Sequence, residues 1–158
     1  MLRALVVLVA LLGGVGMAAG QAPTGLDALV VRVVDGDTIH VRIGERVEKV
    51  RYIGVNTPEL HHPSKGEEPG GRQAHAANRR LVEGQRVRLE LDVQSRDRYG
   101  RLLAYVWAGD TMVNAELVRL GMAQVMTVPP NVRHQALFTT LQRAAREAGR
   151  GLWGQRAS

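Results

Sequence analysis

The chain has 158 residues, 45% hydrophobic and 23% charged, with a formal net charge of +6 and no cysteine. That length suits one domain whose core needs no covalent staples, and the lack of cysteine excludes disulfides, thiolate metal sites and cysteine nucleophiles together. The basic balance favours polyanionic partners, because each neutralised phosphate releases counterions.

Arg3 is the only charge before Asp27, Ala4 to Leu12 is an unbroken apolar run, and Gly13, Gly14, Gly16, Ala18, Ala19 and Gly20 follow it. A positive start, a short apolar stretch and small residues form the pattern of a secretory signal peptide. The run is shorter than the ~20 apolar residues of a membrane span. Residues 1–22 are therefore predicted to be a signal segment, cleaved between about residues 18 and 22. Only Arg3 is lost with it, so the mature chain would carry +5. The product is expected to be secreted or periplasmic, with no stable membrane association. A single folded domain is expected over 26–154, with 155–158 as a tail.

From Leu29 the pattern is that of strands. Leu29 to Val34 is rich in β-branched residues and ends at Asp35-Gly36-Asp37, a tight reversal in which Gly36 can take positive φ. Ile39, Val41 and Ile43 then alternate with Thr38, His40 and Arg42, which predicts a half-buried strand. Gly44-Glu45-Arg46 turns into a third strand, Val47 to Val55, which Pro58 cannot continue. A long loop, Leu60 to Gly71, precedes a helix marked by Ala74, Ala77 and Leu81 and closed by Gly84. Val87 to Val93 alternates again, and after the polar turn Arg96 to Gly100 a fifth strand runs from Arg101 to Trp107. A short helix over Val113 to Leu120 stops at Gly121. A longer one has Asn131 as expected N-cap and Leu137, Leu141, Ala144 and Ala148 as its apolar face. Five short strands with helices inserted and appended predict an α+β fold, a small OB-type barrel of five strands with three helices.

Three groups of residues stand out chemically. Asp37 shares strand parity with Ile39 and Val41, and a carboxylate on an apolar face needs hydrogen bonds or a cation; a turn aspartate bonding local N–H groups would satisfy the same pattern. In Asn56-Thr57-Pro58-Glu59, the Asn56 amide and the Thr57 carbonyl are oxygen donors suited to a hard cation, with Glu59 just beyond. Arg51 and Arg101 are borne by strands, and two guanidinium forks on one phosphate would neutralise developing charge. Singly, these are also a solvated turn glutamate and ordinary surface arginines. Together they supply the parts of metal-assisted phosphoryl transfer. His61 and His62 are adjacent in a loop, where a solvated pair is the expected reading, and neither His75 nor His134 has an evident partner.

Val34 to Thr38, Arg51 to Glu59 and Asp97 to Tyr105 resemble, in order, the three signature stretches of the staphylococcal nuclease (thermonuclease) family, and the similarity runs on to Leu152-Trp153. The resemblance implies the five-stranded OB barrel with three helices, and calcium-dependent cleavage of DNA and RNA to 3′-phosphate ends. It implies Asp37 as a calcium ligand, Thr57 as the donor of a main-chain carbonyl, Glu59 as general base, and Arg51 and Arg101 as phosphate-binding arginines. Tyr99 would touch the substrate. Asn56 stands where the family prototype has a second aspartate, which predicts weaker calcium binding. Thr127, Val128 and Pro129 stand where the prototype has base-stacking tyrosines. The expected protein is a monomeric enzyme acting on nucleic acid; the competing expectation is a catalytically silent OB module that only binds it.

Overall fold

Residues 25–154 are described by the computed structural model; the signal segment and the tail expected from the sequence lie outside the described residues. The valine-rich first third forms a meander of β1 (Leu26–Asp35), β2 (Thr38–Ile43) and β3 (Arg46–Tyr52), antiparallel throughout. β4 (Val55–Asn56) and α1 (Gly71–Val82) follow, and then β5 (Arg86–Glu90) pairs with the free side of β1. β6 (Leu102–Ala108) pairs with β5 and, in parallel, with β3, where Val50, Arg51 and Tyr52 lie opposite Leu102, Leu103 and Ala104. That parallel pairing closes β1, β2, β3, β5 and β6 into a five-stranded barrel of OB type. β7 (Thr111–Met112) hairpins with β6 and leads into α2 (Val113–Arg119); β8 (Gln124–Val125) pairs with β4, and α3 (Gln135–Glu147) is followed by a 3₁₀ turn at Gly151–Trp153. With its three helices the fold is α+β.

Alternation decides which side chains fill the barrel. Ile39, Val41, Val50, Tyr52, Leu89 and Val106 are almost inaccessible, while Arg42 and Lys49 on the intervening positions are exposed. Two buried amides fasten the ends of the barrel. Asn114 accepts from Val106 N at 2.8 Å and donates to Ile53 O at 2.9 Å and Ala104 O at 3.3 Å. Asn78 of α1 accepts from the Tyr52 hydroxyl at 2.7 Å and donates to Asp35 O at 2.8 Å. Buried polar groups matched in this way specify one arrangement of α1 and α2 on the barrel.

Six expectations are corrected. Gly36 does not take positive φ; it is needed because a side chain there would meet Thr57 and Ala74. Arg101 lies just before β6 and not within it, its N–H turned to Asp97. The third strand does not run to Val55: Gly54 takes φ 78°, and a side chain there would come within 2.6 Å of the Phe138 ring, so the chain turns and Val55–Asn56 pair with β8 instead. The strand expected over Val87 to Val93 ends at Glu90, because Asp92 leaves the ladder to accept from the Tyr105 hydroxyl at 2.8 Å. Asn131 does not cap α3, which begins at Gln135. Its buried amide bonds the Gln94 main chain instead, accepting from N and donating to O at 2.8 Å each. The buried face of α3 is Phe138 and Ala145 with Leu141 beside them, leaving Leu137 exposed, because the single phenylalanine fills the space under Gly54 and Tyr105.

Candidate active site

The turn between β1 and β2 sets one side of the site. Gly36 packs so closely that an added Cβ would lie 2.7 Å from Thr57 Oγ1 and 2.8 Å from Ala74 Cβ. The Asp37 that follows is only 5% exposed. Its carboxylate is compensated on both oxygens: Oδ1 accepts from the Thr38 hydroxyl at 3.0 Å, and Oδ2 from the Thr57 main-chain N–H at 2.8 Å. Arg51 Nη2 adds an ion pair to Oδ2 at 3.2 Å. The strand exit carrying Asn56 and Thr57 is thereby tied to a turn twenty residues earlier.

Arg51 is the centre of that tie. Its Nη1 donates to Tyr52 O at 2.9 Å and Val55 O at 2.8 Å, and its Nη2 donates to Asn56 Oδ1 at 3.0 Å as well as facing Asp37. Both terminal nitrogens of the fork are thus engaged by protein acceptors, and the side chain is 12% exposed. Burial lowers the pKa of this guanidinium; Asp37 opposes that shift, and the nearby charge of Arg101 adds to it. An arginine stays charged under such pressure, so the site holds a fixed, preorganised cation.

Barrel closure supplies the second arginine. Because Arg51 is paired in parallel with Leu103, Arg101 is delivered to the same rim two residues before that contact. Asp97 aims it: Oδ2 accepts from Arg101 Nε at 2.7 Å, and Oδ1 caps the turn by accepting from the N–H groups of Tyr99 and Arg101 at 3.0 Å each. Burial raises the Asp97 pKa, but these bonds from Arg101 and Tyr99 outweigh it and hold the carboxyl below its ordinary range. Among the described residues, the Arg101 terminal nitrogens have no protein acceptor. The contrast with Arg51 is chemical: one fork is locked into the scaffold, the other is oriented at Nε and open at its tip.

Both arginines line one cleft of about 520 Å³, together with Tyr99, Asp97, Gln94, Met126 and Val128. Tyr99 is 68% exposed and sits under two guanidinium groups, with Arg98 at 4.8 Å and Arg101 at 5.6 Å from its ring centroid. Met126 and Val128 offer an exposed aliphatic wall where ring stacking would need an aromatic residue. Glu59 is the least constrained member. Its main chain is fixed by Glu68, donating from N to Oε2 at 3.0 Å and accepting at O from Glu68 N at 2.9 Å, while its side chain is exposed and without a hydrogen bond.

The structure thus joins Asp37, Arg51, Asn56 and Thr57 by direct contacts, and sets Arg101 and Tyr99 across the same cleft as Arg51. The histidines lie apart. His62 Nδ1 accepts from the N–H groups of Ser64 and Lys65 at 3.2 Å each, and His61 and His62 border a separate depression with Glu67, Arg72 and His75. The imidazole of His75 bonds Val33 O at 3.3 Å, and that of His134 bonds Glu90 at 3.0 Å.

A model of the family described as "Staphylococcal nuclease homologue" matches residues 49–155. The chain is also 41% identical over 129 residues to the thermonuclease of Staphylococcus intermedius, covering 82% of this chain and 77% of that protein. The chain belongs to the staphylococcal nuclease family. It is 40% identical over 124 residues to the thermonuclease of Staphylococcus hyicus, covering 78% and 73% of the two chains. With endonuclease YncB of Bacillus subtilis (strain 168) it shares 36% identity over 126 residues, covering 78% of this chain and 60% of that one.

Within this staphylococcal nuclease homologue, the donors around Asp37 can be tested for a cation. Among the described residues no group of three or more His, Cys, Asp or Glu side chains is placed to hold a metal. The available donors are oxygens: the Asp37 carboxylate, the Asn56 amide and the Thr57 main chain. The buried Thr57 hydroxyl beside them has no partner. An all-oxygen set of low charge fits a hard cation such as calcium, held with water completing its shell, and does not fit a transition metal. Asn56 Oδ1 already accepts from Arg51 but retains a second lone pair.

Two residues with clear work at the site escape a reading by sequence: Asp97, which aims Arg101, and Asp35, whose Oδ1 accepts from Leu60 N at 3.2 Å and anchors the chain just past Glu59. The signal for Asp97 was its spacing, four residues before an arginine across a glycine turn. Asp35 carried no signal separable from Asp37.

Proposed function

We propose that this chain is a secreted, calcium-dependent endonuclease that hydrolyses phosphodiester bonds of DNA, RNA or both, leaving 3′-phosphate ends. The single observation that carries the reading is the pair of guanidinium groups on one cleft, one locked and one open, beside the buried Asp37. The relatives named thermonuclease and endonuclease support its coarser part, a nuclease.

In this reading Arg51 and Arg101 bind the phosphate between them: the open fork of Arg101 grips it and takes up the charge that grows as the phosphorus becomes five-coordinate, while Arg51, whose terminal N–H groups are held by the protein, acts on it through its charge. A locked Arg51 contributes charge at a fixed place without reorganising. Asp37, the Thr57 carbonyl and Asn56 would hold the cation, whose chemistry is to neutralise the phosphodiester. Glu59, free of other bonds and next to those donors, accepts a proton from the attacking water. Tyr99 lies against the substrate, and the aliphatic wall of Met126 and Val128 forgoes the roughly 1–3 kcal/mol per base that aromatic stacking supplies. The site is complete within one chain, which supports a monomer. Secretion rests on the charge and apolar pattern of residues 1–22. No helix among the described residues is long and apolar enough to cross a membrane.

Purified mature protein is to be incubated with plasmid and with single-stranded DNA and RNA, in calcium and in chelator, with end-group analysis. Calcium-dependent nicking that leaves 3′-phosphates is expected, reduced in Glu59→Gln. Binding without cleavage in any metal would instead identify a nucleic-acid-binding module.

A further inference from the structure

The outer face of the β1–β2–β3 meander has no role in the site described above. Register places Arg32 of β1, His40 of β2 and Lys49 of β3 side by side in one cross-strand row. One row further from the rim, Leu29, Arg42 and Val47 are aligned, and Arg46 follows at the start of β3. One row nearer the rim lie Thr38 and Arg51 themselves. At about 3.4 Å per residue, the four steps from Thr38 to Arg42 give a track of roughly 14 Å leading away from the cleft.

What sets this face apart is the alignment of its charges in cross-strand rows. Elsewhere some arginines are paired, Arg79 with Glu83, Arg96 with Glu48, Arg119 with Glu116 and Arg133 with Glu90, and the exposed unpaired Arg80, Arg86 and Arg143 stand on three separate elements. Among the described residues, Arg32, Arg42 and Lys49 are exposed and form no ion pair or side-chain hydrogen bond with protein. Between residues 29 and 34, 38 and 43, and 46 and 51, the one acid is Glu48. It falls on the opposite strand parity, beside Val50, and is bound through both oxygens by Arg96. Among the described residues no helix packs chiefly on β2 or β3: α1 packs on β1, reaching Val33 and Asp35 through His75 and Asn78, α2 on α1 and β6, and α3 on α2 and β8. The charges are close enough to be felt locally, since burial first, and then Arg32 and Lys49, lower the pKa of His40. Clustering like charges without acids is unfavourable in the isolated protein and becomes favourable when a polyanion lies across them.

We infer that the exterior of β1–β2–β3 is an exosite for the sugar–phosphate backbone, on which Arg32, Arg42 and Lys49 hold polynucleotide running out of the cleft past Arg51. The partner is single-stranded DNA or RNA longer than the cleft can seat, recognised by charge without base readout. The inference rests on the nuclease reading, and it makes the enzyme's preference depend on substrate length.

The test uses the mature protein and the triple variant Arg32→Gln, Arg42→Gln, Lys49→Gln, which keeps long polar stems. KM and kcat are measured on single-stranded 30-mers of DNA and RNA and on trinucleotides, over a range of salt. Three lost phosphate contacts should reduce the slope of log affinity against log salt by about 2 and raise the KM for the 30-mer roughly ten-fold or more at physiological salt. The trinucleotide KM and both kcat values should be unchanged, with circular dichroism confirming the fold. DNA and RNA arms that respond alike identify the shared backbone as the ligand. An unchanged 30-mer KM and salt slope would overturn the inference, as would a loss confined to binding of anionic phospholipid vesicles. If the wild type cleaves nothing, the nuclease reading fails by itself. Fluorescence anisotropy with the labelled 30-mer in chelator then still decides the exosite: equal affinity of wild type and variant overturns it, and a weakened variant sustains it.

Discussion

Replacing Arg51 by lysine keeps the charge and removes the fork, so it separates electrostatics from geometry. In the wild type, two terminal nitrogens serve Tyr52 O, Val55 O, Asn56 Oδ1 and Asp37 Oδ2. A single ammonium has three protons on one atom and cannot span acceptors set on both sides of a planar fork. If the lysine keeps its pairing with Asp37, three acceptors lose a charged donor. Hydrogen bonds to charged groups are worth about 1.5–3 kcal/mol each. The rim is partly solvated, so the lost acceptors regain water, and about 1 kcal/mol per bond is the appropriate end of that scale. The expected destabilisation is therefore about 3 kcal/mol, or roughly 10 °C in Tm for a domain of this size. Urea unfolding followed by circular dichroism at pH 7, in chelator, measures it. Turnover should fall by about 10²–10³ in parallel, because the remaining charge is no longer held in register. A stability loss below 1 kcal/mol would refute the argument that the Arg51 fork ties the strand exit to the Asp37 turn.

Arg101→Ala should show the opposite division: the side chain is 30% exposed and bonded only through Nε to Asp97, so Tm should barely move while kcat falls by orders of magnitude. Wild-type turnover in that variant would remove the phosphate role. Asn56→Asp should lower the calcium concentration giving half-maximal activity, since ligand charge sets affinity. The gain should be limited because the new carboxylate also faces Arg51 Nη2, and an unchanged half-point rejects position 56 as a ligand. Stability should be flat at neutral pH and fall on acidification. Burial raises the carboxyls of Glu90, Asp92 and Asp97, but their hydrogen bonds, chiefly from Arg133 and Arg101, win and lower them. A depressed folded pKa contributes fully above the unfolded value near 4 and is lost as pH falls through the folded one. Urea midpoints from pH 7 to 2 give the profile, and Asp97→Asn should flatten part of the acid limb.

The barrel and the residue chemistry were legible in the chain because strand parity is a local property. Ile39 and Val41 had to face inward whatever the rest did, and Asp37 inherited their side. The stop at Gly84, which takes φ 69°, was likewise written in a single residue, whereas Gly36 is needed for its close approach to Thr57 and Ala74 and not for positive φ. Other features depend on neighbours remote in sequence. Gly54 ends the third strand because Phe138 arrives from α3 to fill the space a side chain would need. Asn131 looks like a helix cap until Gln94 offers both halves of a main-chain amide.

What the sequence alone determined is therefore the presence of the five barrel strands, their inward faces and the polar groups that would be costly unless compensated; the short β4, β7 and β8 were not among its expectations. Tertiary structure decided the compensation. The parallel register of β3 and β6 set Arg101 beside Arg51, and the cross-strand rows of the meander gathered Arg32, His40 and Lys49 from three segments into one field. Periodicity constrains each segment by its own solvent exposure, whereas register and barrel closure are fixed only when the segments bury one another.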